Sequence, residues 1–160
     1  MNDAGLPEVI VVGASAGGVA ALQAIVQALP AGLSVPVLVV LHVPRDRNSR
    51  IVEVLAPHCA VPVREAEDKQ PIERGTVTFA PPDYHLLVED RSSVALSIDP
   101  PVLYSRPAID PLFESAAAVF GPRVLALLLT GASSDGSEGV AAVREAGAVS
   151  YTHLTLPTKA

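Results

Sequence analysis

The sequence predicts a doubly wound α/β domain, with a mostly parallel, Rossmann-like sheet and an antiparallel ribbon inserted in its middle third. Three aliphatic runs carry this prediction, at residues 8–12, 37–41 and 124–129. Such near-continuous runs are typical of strands that a parallel sheet buries on both faces. Segments with apolar residues at helical spacing separate the runs, and a length of 160 residues argues for one domain.

The first part of the chain has the pattern of a strand, a helix and a second strand. Residues 17–29 carry apolar side chains at helical spacing, and Pro30 and Gly32 then stop the helix. The second strand, 37–41, leads directly into His42. Because the connections are short, we expect a right-handed crossover between two parallel strands.

The rest of the chain combines a ribbon with further helices and the third strand. Three short segments separated by Pro, Gly and charged clusters predict the antiparallel ribbon, at residues 76–80, 85–89 and 94–98. A helix is expected to begin at Asp110, a good N-cap residue that precedes Pro111. After the third strand, a last helix over 137–146 is closed by Gly147.

Composition excludes several classes of protein. The formal charge is −6 with no stretch rich in Lys or Arg, so a nucleic-acid partner is not expected. No apolar run reaches the 18 or more residues of a membrane span, so membrane insertion is not expected either. A lone cysteine, Cys59, fits a reducing cytoplasm, and residues 1–8 form a short leader without the basic start of a signal peptide.

Three polar side chains lie just after the three predicted strands: Ser15, His42 and Asp135. Carboxyl ends of parallel strands meet at one edge of a sheet, where open α/β folds place their sites. A hydroxyl, an imidazole and a carboxylate together are the groups of nucleophilic ester or amide hydrolysis. The sequence therefore predicts a Ser-His-Asp site at this edge.

Each of the three residues also has a simpler interpretation. Residues 13–18 fit both the G-x-S-x-G nucleophile turn and a dinucleotide fingerprint, although a Ser in place of the middle glycine weakens the second. Ser15 is equally compatible with capping a helix, and Asp135 with capping the helix near Ser137. Four histidines compete for the role of base, and His42 is better placed than His58, His85 or His153 because it follows a strand. Scattered His with one Cys offer no metal-ligand spacing.

Five ordered blocks of sequence resemble the catalytic domain of the chemotaxis protein-glutamate methylesterases of the CheB type. The resemblance runs over about residues 9–147, and its carriers are residues 12–18, 42–44, 80–85, 106–113 and 129–136. It implies hydrolysis of glutamate γ-methyl esters on chemoreceptor helices, with release of methanol, and in some members deamidation of glutamine. A non-catalytic signalling or partner-binding module that retains the fold is the alternative.

The resemblance also implies a role for each site residue. Ser15 would be the nucleophile, His42 the general base and Asp135 its orienting carboxylate. Candidate oxyanion donors or neighbours of the site are Ala16, Gly131 and Ala132, where Ala132 replaces a Met common in the family. His85, at the start of a ribbon strand, is a substrate-side candidate. No cofactor or metal is implied, and the expected partners are the cytoplasmic helices of methylated chemoreceptors and a separate signalling regulator.

The two ends of the chain depart from the family pattern. Residues 1–8 leave no room for the receiver domain of full-length members, so we expect a stand-alone catalytic domain over residues 9–149. The final strand, helix and Gly-Met-Pro segment of the family do not follow Gly147. We therefore expect an incomplete C-terminus, with residues 150–160 as a tail unrelated to the family.

Overall fold

A computed structural model describes residues 5–42, 50–129 and 135–154 of the chain. The helices within these residues are α1 (Val19–Ala28), α2 (Ile51–Leu55), α3 (Ile109–Phe120) and α4 (Ser137–Glu145). The strands are β1 (Val9–Ala14), β2 (Val37–Leu41), β3 (Val63–Glu65), β4 (Val77–Phe79), β5 (His85–Val88), β6 (Val94–Ser97), β7 (Val124–Leu129) and β8 (Val149–Leu154).

Six of the strands in the described residues form one parallel sheet in the order β3-β4-β2-β1-β7-β8. β5 and β6 form a separate antiparallel pair. The predicted fold class, a doubly wound α/β domain with an antiparallel ribbon, is therefore confirmed. All three aliphatic runs lie in the sheet, with β1 between β2 and β7.

The ribbon is smaller than the sequence predicts. We expected residues 76–80 to belong to it, but β4 pairs in parallel with β2, with Val77 opposite Val37. All three residues of β4 are buried, so both faces of this strand are covered. Such two-sided burial is typical of a strand inside a parallel sheet and not of an exposed ribbon. The short strand β3, beside β4, carries no aliphatic run and was not predicted.

The sheet is covered on both faces, and consecutive residues of β1 face opposite sides. Val9 and Val11 belong to a core shared with α3, α4 and the ribbon. Val12 and Ala14 belong to a second core with α1 and α2. Since side chains alternate along a strand, a run of apolar residues is what this two-faced burial requires.

Strand β8 extends past the predicted boundary at residue 149. Residues 149–154 pair in parallel with β7, so the sheet continues into the segment expected to be an unrelated tail. This segment contains Val149, Tyr151 and Thr152, and residues of these types favour strands. Residues 155–160 lie outside the described part of the chain.

Across the residues that the structure describes, no helix has both the length and the apolar character needed to cross a lipid bilayer.

Phe113 on α3 offers a test of the packing between the sheet and the helices. Its side chain is fully buried, so Phe113→Ala should lower the free energy of unfolding by about 3–5 kcal/mol. Val54→Ala, at a position 55% exposed, should change it by less than about 0.5 kcal/mol. Urea denaturation followed by circular dichroism measures both, and equal effects of the two changes would contradict this packing.

Candidate active site

Ser15 and His42 follow the ends of two neighbouring strands. Ala14, the last residue of β1, pairs with Leu41, the last residue of β2. The ladder continues one step further, because the His42 amide donates to the Ala14 carbonyl at 2.8 Å. The sheet itself therefore places the backbones of the predicted nucleophile and base next to each other, about one strand spacing apart.

Ser15 lies in a tight turn between a strand and a helix. It has extended backbone (φ −96°, ψ 178°) and precedes a 3₁₀ helix of three residues that leads into α1. Its side chain makes no capping hydrogen bond to that helix, so the structure does not support the simpler interpretation of Ser15 as a cap. The first hydrogen bond of this 3₁₀ helix runs from the Gly18 amide to the Ser15 carbonyl (2.8 Å). The Ala16 amide lies before it and takes no part in the bonding within the helix.

His42 and Asp135 are in direct contact. The Nε2 atom of His42 is hydrogen-bonded to Oδ2 of Asp135. The His42 side chain is 13% exposed, whereas that of Asp135 is fully buried. Over the described ranges the other ring nitrogen, Nδ1, makes no hydrogen bond, so one nitrogen of a partly accessible imidazole stays available at the sheet edge.

The Asp135 carboxylate also holds the start of α3. Its Oδ2 accepts the Ile109 amide at 2.6 Å, and its Oδ1 accepts the Asp110 amide at 2.9 Å. Burial raises the pKa of Asp135, but the hydrogen bonds from His42 and from these two amides outweigh burial. The net pKa lies below the ordinary value, so Asp135 is held ionised beside the imidazole.

Asp110, in the first turn of α3, contacts the start of α4 in return, and the sequence alone did not predict these contacts. Its Oδ1 accepts the amides of Gly136 and Gly139 at the start of α4, both at 2.8 Å. Asp110 therefore caps α4, the helix that follows it in the chain, and Asp135 caps α3. We refer to this exchange as the reciprocal caps. Burial is the main reason that the pKa of Asp110 is raised, and the charge of Asp135 adds to it.

The chain is similar in sequence and in fold to known proteins. A family model described as CheB methylesterase matches residues 10–154. The chain belongs to the CheB methylesterase family. The crystal structure of the Thermotoga maritima CheB methylesterase catalytic domain superimposes with a TM-score of 0.84 at 29% identity, covering 90% of this chain and 78% of that one.

Relatives of different lengths match this CheB-family domain. One from Leptospira interrogans is 39% identical over 140 residues, which cover 88% of this chain and 72% of the relative. One from Nocardioides sp., named protein-glutamate methylesterase/protein-glutamine glutaminase, is 45% identical over 141 residues. That match covers 86% of this chain but only 38% of the longer relative. The family model ends five residues beyond the predicted domain boundary at 149, in agreement with β8.

His85, the predicted substrate-side candidate, lies at the start of β5. Its side chain is buried, at 2% exposure, and both ring nitrogens are engaged with backbone groups. Nδ1 accepts the Ala108 amide at 3.2 Å, and Nε2 lies 3.0 Å from the Pro100 carbonyl. These two bonds tie His85 to the segment that leads into α3, and its role beside substrate stays a prediction.

Of the remaining candidate residues from the sequence, the structure describes some and not others. Gly131 and Ala132 lie outside the described residues. Ala16 is exposed at the first position of its 3₁₀ helix, so its place as an oxyanion donor stays a prediction. His58, which competed for the role of base, is exposed at the end of another 3₁₀ helix.

An acidic cluster lies beside the reciprocal caps. The carboxylates of Asp110, Glu114 and Glu138 have oxygens within 4.8 Å of one another. Sequence spacing did not reveal it, because the residues come from two helices. Asp110 is already engaged with two amides, and the two glutamates are exposed. We therefore assign this cluster no ligand.

A cavity of about 600 Å³ lies away from these residues. Its lining includes Glu8, Pro36 and Arg123, which immediately precede β1, β2 and β7. These are the amino ends of parallel strands, so the cavity opens at the edge of the sheet opposite Ser15 and His42. The candidate active site is instead the open edge formed by the carboxyl ends.

The lowered pKa of Asp135 predicts a component of acid stability. The unfolded chain takes up this proton near the ordinary pKa of about 3.9, whereas folded Asp135 takes it up only at lower pH. The stabilisation is therefore present above about pH 3.9 and is lost as the pH falls through the folded pKa. Urea denaturation between about pH 5 and pH 2 should show a shallower loss of stability for Asp135→Asn than for the wild type. Parallel curves would contradict the prediction.

Gly139 allows the reciprocal caps to form. A Cβ there would lie 2.6 Å from Cβ of Phe113 and 3.2 Å from Oδ1 of Asp110. Alanine normally favours a helix over glycine by about 1 kcal/mol, but here we expect Gly139→Ala to destabilise by about 1–3 kcal/mol. Gly32→Ala is the matched control, since its Cβ would have nothing within 4 Å. Thermal unfolding measures both, and a stabilised Gly139→Ala variant would refute the close approach.

Proposed function

We propose that this CheB-family domain is a serine hydrolase that cleaves glutamate γ-methyl esters on chemoreceptors and releases methanol. The contact between His42 and Asp135, beside the strand end that carries Ser15, is the observation that supports it most. Glutamine deamidation is the second activity that we propose, because the names of relatives combine methylesterase with glutaminase. Both reactions transfer the γ-glutamyl acyl group to water, from an ester in the first case and from an amide in the second.

In the proposed mechanism, the Ser15 hydroxyl oxygen attacks the ester carbonyl carbon while His42 takes the hydroxyl proton. The tetrahedral intermediate collapses, its C–O bond to methoxide breaks, and the imidazolium returns the proton to give methanol. Water then attacks the acyl-serine with His42 again as base. This step releases the receptor glutamate and restores the Ser15 hydroxyl.

We propose a role for each nitrogen of the imidazole from the orientation of its ring. Nε2 is engaged with Asp135, so Nδ1 is the atom that accepts the Ser15 proton. This is the reverse of the common triad arrangement, in which Nδ1 faces the carboxylate. An ionised, buried Asp135 stabilises the imidazolium that forms. In the substrate complex, the Ser15 hydroxyl would donate to Nδ1, and such contacts often tighten when substrate binds.

Stabilisation of the oxyanion falls to backbone donors in this proposal. The amide that follows a nucleophilic serine in a G-x-S-x-G turn is a usual donor, and here it belongs to Ala16. Each such donor is worth about 3 kcal/mol of activation free energy. Gly131 and Ala132 remain candidates for a second donor. The proposed steps use side chains and backbone groups alone, so they call for no cofactor.

Methylated chemoreceptors are the substrates that CheB-family methylesterases act on, and we propose the same for this domain in the cytoplasm. We also propose control by a separate signalling regulator.

Replacement of the nucleophile tests the proposed function. Ser15→Ala should lower methanol release from methylated receptor by about 10⁴-fold or more and leave the melting temperature unchanged within about 2 °C. Ser34→Ala is the matched control, because Ser34 lines the cavity at the opposite edge.

A phosphonate directed at active serines gives an independent readout. It should label the wild type and Ser34→Ala but not Ser15→Ala, as peptide mass spectrometry would show. Methanol release that survives in Ser15→Ala would refute the assignment. A folded wild type that neither releases methanol nor reacts with the phosphonate would favour the non-catalytic alternative.

A further inference from the structure

A tight turn at residues 102–105 has a backbone conformation that does not suit its side chains. Val102 and Ser105 exchange two hydrogen bonds, each 2.9 Å long. Between them, Leu103 and Tyr104 have φ values of +49° and +68°. Two central residues with positive φ define a type I′ turn, which favours Asn-Gly, whereas bulky side chains rarely adopt this conformation. We call this segment the Leu-Tyr turn.

The Leu-Tyr turn is anchored on both sides. Arg106, directly after it, donates to the carbonyls of Ile98 (2.9 Å) and Asp99 (3.1 Å) and pairs with Asp83 at 3.0 Å. His85 engages the Pro100 carbonyl before the turn and the Ala108 amide after it. The strained conformation is therefore fixed by contacts at its base.

These anchors place the turn on the same side of the fold as the candidate active site. Asp83 lies in the segment that follows β4, and β4 runs parallel to β2, whose end carries His42. After the turn, the chain reaches Ile109, whose amide binds Asp135, within five residues of Tyr104. The Leu-Tyr turn therefore belongs to the loops that surround the carboxyl ends of the strands.

Four large apolar or aromatic side chains are exposed along these loops. Tyr104 is 96% exposed, Ile98 72%, Leu103 52% and Tyr84 42%. The charged neighbours Arg106 and Asp83 neutralise each other, so the surface between them carries no net charge from this pair. Neither of the two central side chains of the turn is buried in the core of the domain. Packing in the core therefore does not offset the backbone strain at these positions.

We propose that the Leu-Tyr turn, with Ile98 and Tyr84, is the surface that binds the receptor helix next to the methyl ester. This inference rests on the proposed function. The ester is on a side chain of a helix, so a hydrolase must hold the helix surface beside it. Helix surfaces dock through apolar side chains a turn apart, and esterified glutamates are uncharged. An apolar and aromatic surface among the loops at the carboxyl ends of the strands, the edge that carries Ser15, matches this occupant.

The double variant Leu103→Asn/Tyr104→Gly separates binding from folding. It removes both side chains but supplies the residues that a type I′ turn favours, so its melting temperature should be equal to or above that of the wild type. We expect KM for methylated receptor to rise about tenfold, with kcat unchanged, because exposed contacts bind ground and transition states alike. Hydrolysis of p-nitrophenyl acetate, which lacks a helix, should be unaffected. An unchanged KM for the receptor would overturn the inference.

Two further measurements complete the test. Leu6→Ala is the matched control, since Leu6 is 56% exposed and lines the cavity at the opposite edge. It should leave KM unchanged. Receptor binding is also measured with the Ser15→Ala change present, with and without the altered turn, so that the surface is tested independently of hydrolysis. Equal affinity of the two proteins would refute the docking surface, whereas failure of Ser15→Ala to abolish methanol release refutes the proposed function alone.

Discussion

The reciprocal caps are the interaction on which the geometry of the catalytic edge depends. Asp135 binds the first amides of α3, and Asp110 binds the first amides of α4, so each helix begins against a carboxylate from the other segment. Amides at helix starts have no partner within their own helix and carry partial positive charge. Two buried carboxylates can therefore lie close together. One of them, Asp135, is also hydrogen-bonded to His42.

The sequence predicts well what local patterns determine. Aliphatic runs identified β1, β2 and β7, and strand ends in a parallel sheet brought Ser15, His42 and Asp135 to one edge. The positions of single residues that follow strands can be predicted, because the carboxyl ends of parallel strands lie at one edge of the sheet. The role of each residue as nucleophile, base or carboxylate stays a prediction until the variants are measured.

Contacts between distant segments could not be predicted in this way. Asp110 looked like a cap for its own helix, yet its partners lie 26 and 29 residues further along the chain. His85 begins a ribbon strand of otherwise apolar residues, and no local pattern shows that its ring is bonded on both sides. The positive φ values at Leu103 and Tyr104 were also unpredictable, because neither residue type indicates a tight turn.

The hydrogen bond that continues the β1–β2 ladder to His42 has a consequence for dynamics. Amides within a central parallel sheet exchange their protons with solvent only when a large part of the fold opens. The His42 amide belongs to that ladder, although the side chain lies at the open edge. Its protection should therefore match that of the neighbouring sheet amides, so the backbone of His42 resists the local opening that is common in loops. Motion at this edge then falls to the imidazole ring and to segments other than β2.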